Sequence, residues 1–204
     1  MTTIYLIRHS LQLKEKGIMN VLDDEQLINE KIILSVEGEI EAKKISELKE
    51  LQNIDIIWSS SYVRAVQTAK YIAYNNQLKI NIDYHFNERK LGLLSDLKKL
   101  GEIKKYSFTE EQLLDSKLKN TFGESMEEVK ERMTKAIKKI LSDYENKKIV
   151  IVSHGAAIRF YLMNYCKLNH ERKLVYNNNV LDFSSPSVIK LIFDKNKLID
   201  IINI

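Results

Sequence analysis

The sequence predicts an α/β fold: a single three-layer α/β/α domain over residues 1–204, with a mostly parallel central sheet and helices on both faces. Three observations carry that prediction. Short apolar, β-branched runs alternate with longer stretches of helical spacing. Most of the runs end in polar or charged residues instead of leading into hairpin turns. No internal repeat and no Gly-, Ser- or Pro-rich linker divides the 204 residues. A chain of this length buries one full core, and 44% hydrophobic with 29% charged residues is an ordinary globular balance.

The first run, Ile4 to Ile7, ends abruptly in Arg8 and His9, so a buried strand delivers a cation and an imidazole at its carboxyl tip. In open α/β sheets that edge is where ligands sit. Leu11 to Leu34 is polar and acidic with scattered apolar residues, a surface loop with a short helix placed to cover the strand tip. From Ser35, a plausible N-cap, the residues Val36, Ile40, Ile45, Leu48 and Leu51 fall near helical spacing. Ile54 to Trp58 is a second strand, ended by three serines. The helix that follows begins near Val63 and carries Arg64 in its first turn. A cation there opposes the helix dipole unless an anion lies between the guanidinium and the helix start.

Ile80 to Tyr84 reads as a third strand leading to Glu88 and Arg89, and residues 93–123 read as short, Lys-rich helices at the sheet edge. Ser125 to Tyr144 is the clearest helix, with Met126, Val129, Met133, Ala136, Ile137, Ile140 and Tyr144 on one stripe. The stretch K-I-V-I-V-S-H-G repeats the opening design: Ile149 to Val152 is a strand that ends in Ser153 and His154, and Gly155 permits a tight turn into a helix from Ala156 to about Cys166. After a polar connection from Lys167 to Asn179, the runs Ser187 to Phe193 and Leu198 to Ile202 close the sheet as a pair of strands, with Pro186 just ahead of them.

Strand tips and one helix start thus deliver Arg8, His9, Arg64, Glu88 and His154. Two guanidiniums grip a phosphoryl group bidentately and carry its charge through a transfer. A neutral imidazole attacks phosphorus and divides one hard step into two. A second imidazole donates to the equatorial oxygens when protonated. A carboxyl gives its proton to the leaving alkoxide and later takes one from water. This set needs no metal and no cofactor, since the arginines neutralise the charge, and the His, Asp and Glu residues show no H-x-x-x-H ligand spacing.

These residues sit in motifs that resemble the histidine phosphatase superfamily, in its phosphoglycerate-mutase-like branch: L-I-R-H at 6–9, L-S-V-E-G at 34–38, S-S-S-Y-V-R-A-V-Q-T-A at 59–69, N-E-R-K-L-G at 87–92, G-E-S-M-E-E-V-K-E-R at 123–132 and V-S-H-G-A-A-I-R at 152–159. Six blocks in order over nearly the whole chain make the likeness specific. It implies a phosphoglycerate-mutase-like fold, His9 as nucleophile, Arg8, Arg64 and His154 as the phosphate pocket, Glu88 as proton donor, and substrate contacts from Arg89 and the backbone at Gly155. The chain departs from the family pattern at Ser10 and Ser95, where glycine is usual, and at L-Q-L-K-E after Ser10, which replaces a run ending in a phosphate-touching Asn. The stretch from Glu88 to Gly123 is shorter than in the glycolytic mutases, which favours water as acceptor.

The expectation is a metal-independent phosphomonoester hydrolase, an acid or sugar phosphatase, working through phosphohistidine on a small phosphorylated metabolite. The alternatives are a phosphoglycerate mutase and a non-catalytic module that binds phosphorylated ligands. Thirty-two Lys and Arg against 28 Asp and Glu leave a net charge of +4, spread along the chain, which suits anionic small molecules and signals no nucleic acid. No stretch approaches a membrane span, and no basic-then-apolar leader opens the chain. The lone cysteine, Cys166, excludes an intrachain disulfide and fits a buried thiol in a reducing cytoplasm. His85, His170, Arg132, Arg159, Trp58, Tyr62 and Tyr161 read as structural or surface residues. The sequence does not set the oligomeric state, and a homodimer stays open.

Overall fold

The structure, a computed structural model, describes residues 1–13, 25–93 and 114–204. Its centre is a six-stranded sheet in the order β3-β2-β4-β1-β8-β9. Strand β1 is Thr2–Arg8, β2 Ile56–Ser59, β3 Ile80–Ile82, β4 Lys148–Ser153, β8 Ser187–Asp194 and β9 Lys197–Asn203. Four of them run parallel; β8 is antiparallel to β1, and β9 to β8. The chain runs outward from β1 to β2 and β3, then returns to insert β4 between β2 and β1, so parallel strand tips from distant stretches meet at one edge.

Both faces of the two central strands are buried, which is why they read as unbroken apolar runs. Ile4 and Leu6 of β1 join Ile149 and Ile151 of β4 in one core cluster, under helices α4, Met126–Asp143, and α5, Gly155–Leu162. Tyr5 and Ile7 join Val150 and Val152 in the other, under α3, Val63–Asn76. Helix α4 follows its predicted stripe, with Met126, Val129, Met133, Ala136, Ile137 and Ile140 buried. Ser125 and Glu128 close a reciprocal capping box at its start.

Several expectations need correction. Helix α2, Val36–Ser46, is capped by Ser35 as expected, but its inward face is Gly38, Ala42 and Ser46; Val36 and Ile40 are 75% and 60% exposed. The cause is a close approach: a Cβ on Gly38 would lie 2.0 Å from the carbonyl oxygen of Leu11, so only a small-residue face fits against that loop. Leu48 and Leu51 lie beyond the helix, Leu51 in a 3₁₀ turn at Lys49–Leu51. Helix α5 stops at Leu162, and Cys166 follows in a tight turn, buried, with its thiol pushed up to about 11 by burial. The connection from Lys167 to Asn179 is not plain loop; it holds most of a second sheet of β5, Lys167–Leu168, β6, Leu174–Tyr176, and β7, Asn179–Val180. Strand β3 ends at Ile82, and Tyr84–Phe86 is a 3₁₀ turn.

The loop after β1 returns through an antiparallel bridge between Gln12 and Leu34 and contains the expected short helix, α1, Glu25–Lys31. Of the predicted short helices over 93–123, residues 94–113, Ser95 among them, lie outside the described residues, and 115–123 run through turns. Among the described residues no helix is long and apolar enough to cross a membrane. The Ser185–Pro186 peptide bond is cis.

Candidate active site

The tips of β1 and β4 lie side by side: Arg8 pairs in register with Ser153, and the His9 amide donates to the Ser153 carbonyl at 3.0 Å. The Ser60 amide donates to the Val152 carbonyl at 2.9 Å, which brings the tip of β2 to the same edge. Arg8, His9, Arg64, Glu88, Arg89 and Gly155 all line one cleft of about 370 Å³ at this edge. His154 lies directly behind it, fully buried, with its ring edge-on to His9 at 5.0 Å between centroids and to Tyr62 at 4.8 Å.

His9 is held from both sides of its ring. Nδ1 lies 2.7 Å from the carbonyl oxygen of Ser10, which can only accept, so Nδ1 carries the proton. Nε2 accepts from the Nε–H of Arg64 at 3.0 Å, so Nε2 carries the lone pair. Burial, then the Arg64 guanidinium, with Arg8 adding to both, lower the pKa of His9 to about 3. At neutral pH the ring is therefore uncharged with its lone pair on Nε2, beside two guanidiniums.

Arg64 is itself buried, in the first turn of α3, where the sequence left it mis-signed against the helix dipole. Its guanidinium lies 5.1 Å over the Tyr62 ring and donates to the carbonyl of Asn29 in α1. Helix α1 also reaches Tyr62, whose hydroxyl accepts from Gln26 at 2.6 Å; burial pushes that phenol up to about 12. Helix α1, the described part of the connection beyond Leu13, therefore lies against Arg64 and Tyr62 beside the strand tips. Arg8 donates through Nη1 to the carbonyl of Phe183, while its Nε is buried without a partner among the described residues. A Cβ on Gly155 would come within 3.1 Å of that Nε, so glycine here admits the guanidinium against the start of α5.

Glu88 does not serve simply as an ion pair for Arg89. One oxygen accepts the amides of Arg89, at 2.8 Å, and Ala157, at 3.1 Å; the other accepts that of Ala156 at 3.3 Å. His154, the residue at the N-cap of α5, makes no side-chain cap bond, so Glu88 occupies that role from a separate segment. The segment is clamped in turn: Arg132 of α4 pairs with Glu124 at 2.8 Å and donates to the carbonyls of His85 and Asn87 at 2.6 and 2.9 Å. Arg132 is structural, as expected, with the added task of holding the strip that carries Glu88.

Ser10, in the place of a usual glycine, is fully buried; its amide donates to Thr68 of α3 at 3.0 Å, which ties the β1 tip to the helix bearing Arg64. Six further residues line the cleft that the sequence does not mark as site residues, Leu91 and Ala156 among them. Gln12, Asn29 and Phe183 come from loops and a short helix without a motif signal, and Arg159 was read as a helix-surface residue. Helical spacing could have found Arg159, because it lies one turn beyond Gly155 on α5. Among the described residues no cluster of three or more His, Cys, Asp or Glu is arranged to hold a metal ion. His170 is an exposed surface residue, and His85 bonds to Asp83 at 2.7 Å.

Residues 4–196 match the family model of the histidine phosphatase superfamily, branch 1. An uncharacterised phosphatase of Bacillus subtilis, PhoE, is 30% identical over 167 residues, covering 79% of this chain and 76% of its own. A mycobacterial glucosyl-3-phosphoglycerate phosphatase superposes with a TM-score of 0.68 at 19% identity, over 93% of this chain and 89% of that one. A phosphoserine phosphatase mutant of Entamoeba histolytica, in complex with phosphoserine, gives 0.64 at 19% identity, over 98% and 96%.

Proposed function

The chain belongs to the histidine phosphatase superfamily, branch 1, and from that membership we propose that it is a phosphomonoester hydrolase acting through a phosphohistidine at His9, with residues 1–204 forming one catalytic domain. The observation that carries the reading is the state of His9: an uncharged ring, its Nδ1 proton committed to a carbonyl, its Nε2 lone pair beside Arg64 in a cleft that Arg8 also lines. That is a nucleophile prepared next to the charge it must attack.

The two half-reactions follow. A phosphoryl group enters between Arg8 and Arg64, and the Arg64 Nε–H turns from Nε2 to a phosphoryl oxygen, which exposes the lone pair. Nε2 forms a bond to phosphorus as the ester P–O bond breaks, and Glu88, entering this step as the carboxylic acid, gives its proton to the leaving alkoxide and becomes the carboxylate. Water then attacks phosphorus, Glu88 takes its proton, and the P–N bond breaks to release phosphate and restore His9. Arg89 and the Gly155 backbone border the same cleft and would contact substrate. The arginines supply the positive charge that a divalent ion supplies elsewhere, so no metal is required.

A small phosphorylated metabolite fits a cleft of about 370 Å³, and the named phosphatases among the similar proteins favour water as the acceptor. The test is phosphate release from a panel holding phosphoserine, 3-phosphoglycerate and a sugar phosphate, with His9→Ala as the blank. Release by the wild type above that blank is expected. Isomerisation of phosphoglycerate without release would make the protein a mutase, and binding without turnover would make it a phospho-ligand module.

A further inference from the structure

We propose that Ser60 and Asn87 are positioning residues that fix the proton of His154 on Nε2, the reverse of the arrangement at His9. The inference rests on the phosphatase reading for its catalytic meaning, but the proton position stands on the hydrogen-bond network alone.

A backbone N–H can only donate, which fixes the direction of the first bond in the network. The Ser61 N–H donates at 2.9 Å to the side-chain oxygen of Asn87, which settles which end of that amide faces the serines. The Ser60 and Ser61 hydroxyls lie 2.9 and 3.1 Å from the same oxygen. An amide oxygen brings no hydrogen to these contacts, and two bare oxygens this close repel, so each hydroxyl turns its proton to Asn87 and the single proton of Ser60 is spent there. The Tyr62 amide donates into the Ser60 oxygen at 3.1 Å. His154 Nε2 lies 2.7 Å from that oxygen, and with the hydroxyl proton already spent, the bond forms only if Nε2 is the donor. Ser60 is then saturated, with one bond given and two accepted. His154 Nδ1 is buried without a partner among the described residues and carries the lone pair of the neutral ring. Burial, with Arg64 and His9 acting in the same direction, holds His154 well below its ordinary pKa, so the neutral ring is the resting form.

The consequence reaches the nucleophile. His154 has no exposed surface and packs edge-on against His9, so its tilt and proton position set one wall of the pocket in which His9 turns over. Asn87 precedes Glu88 directly and its carbonyl is held by Arg132. One clamped strip therefore aligns the carboxyl and, through Ser60, the second imidazole.

The test reads the proton itself. In ¹⁵N-histidine spectra of the wild type near neutral pH, with His154 signals identified by their loss in His154→Gln, Nε2 should be protonated and Nδ1 not. In Asn87→Ala the Ser60 hydroxyl is released to donate to Nε2, and the ring should shift toward the Nδ1–H form. Ser60→Ala and Asn87→Ala should each lower kcat about 10–100-fold with KM little changed, the usual scale for losing an orienting hydrogen bond. A wild-type His154 protonated on Nδ1 would overturn the proposal, and this requires no variant to fold. So would unchanged tautomer and kcat in both variants. Absence of any phosphatase turnover with the Nε2–H form intact would instead remove the catalytic reading and leave the network standing.

Discussion

The tip of β1 and the tip of β4 are the same design written twice: a buried strand, a polar residue, a histidine, then a small residue. They lie in register on neighbouring strands, with the two imidazoles 5.0 Å apart. Yet the first histidine is pinned at Nδ1 and keeps its lone pair on Nε2 at the cleft, whereas the second is pinned at Nε2 and is sealed behind it. The difference teaches that residue type and place in the sheet do not settle a histidine's task. The partner that claims one ring nitrogen decides what the other can do.

The largest effect that could break this comparison is loss of His9. His9→Ala should lower phosphate release by at least about 10⁴-fold, the scale for removing a covalent nucleophile. His154→Ala should cost less and still form the phosphoenzyme. Equal losses, with phosphoenzyme absent from both variants, would make the two tips equivalent.

Next in size is Glu88→Gln. If Glu88 donates to the leaving group, the burst rate with an alkyl phosphate should fall about 10²–10⁴-fold, and that with p-nitrophenyl phosphate much less, since nitrophenolate leaves without a proton. The burst must be read rather than the steady state, because in the proposed cycle Glu88 also takes the proton of the attacking water. Equal burst losses would reduce Glu88 to its observed place at the start of α5.

The neutral state of His9 also marks stability. The unfolded chain binds this proton near pH 6.5 and the folded chain near 3, so between those values the unfolded state holds more protons. Stability is therefore full above 6.5 and falls with pH down to about 3. At pH 4.5 the His9 share of the loss is about 2–3 kcal/mol. Urea titrations at pH 7 and 4.5 should show His9→Ala losing less than the wild type by about that amount; an identical loss would mean that the folded His9 titrates normally.

A smaller effect is expected at Gly155→Ala. Its Cβ would press on the Arg8 guanidinium from 3.1 Å, so KM should rise several-fold with little loss of kcat; an unchanged KM would show that Arg8 has room to move. The smallest effect is none: excess EDTA should leave turnover intact, and loss restored by a divalent ion would contradict the role given to the arginines.

Much of the sheet was legible because its central strands are buried on both faces and so announce themselves as continuous apolar runs. Six of the residues that line the cleft, Arg8, His9, Arg64, Glu88, Arg89 and Gly155, were legible because they sit in short local motifs, at strand tips, at helix starts and just past the 3₁₀ turn at Tyr84–Phe86. What was hidden depended on distant neighbours. The inward face of α2 was misread because Leu11, far from Gly38 in the chain, forces a small-residue contact that periodicity cannot show. The strands of the second sheet are two or three residues long and carry no period. The opposed tautomers of the two histidines rest on a backbone carbonyl in one case and on Ser60, 94 residues away, in the other.

The most direct measurement is the position of the phosphoryl group on the trapped enzyme. Brief reaction with labelled substrate, a base quench that preserves phosphohistidine, and peptide mapping with ³¹P spectra of the ring should place phosphate on His9 at Nε2. Phosphate on Nδ1 of His9, on His154, or on no histidine under fast quenching would contradict the account.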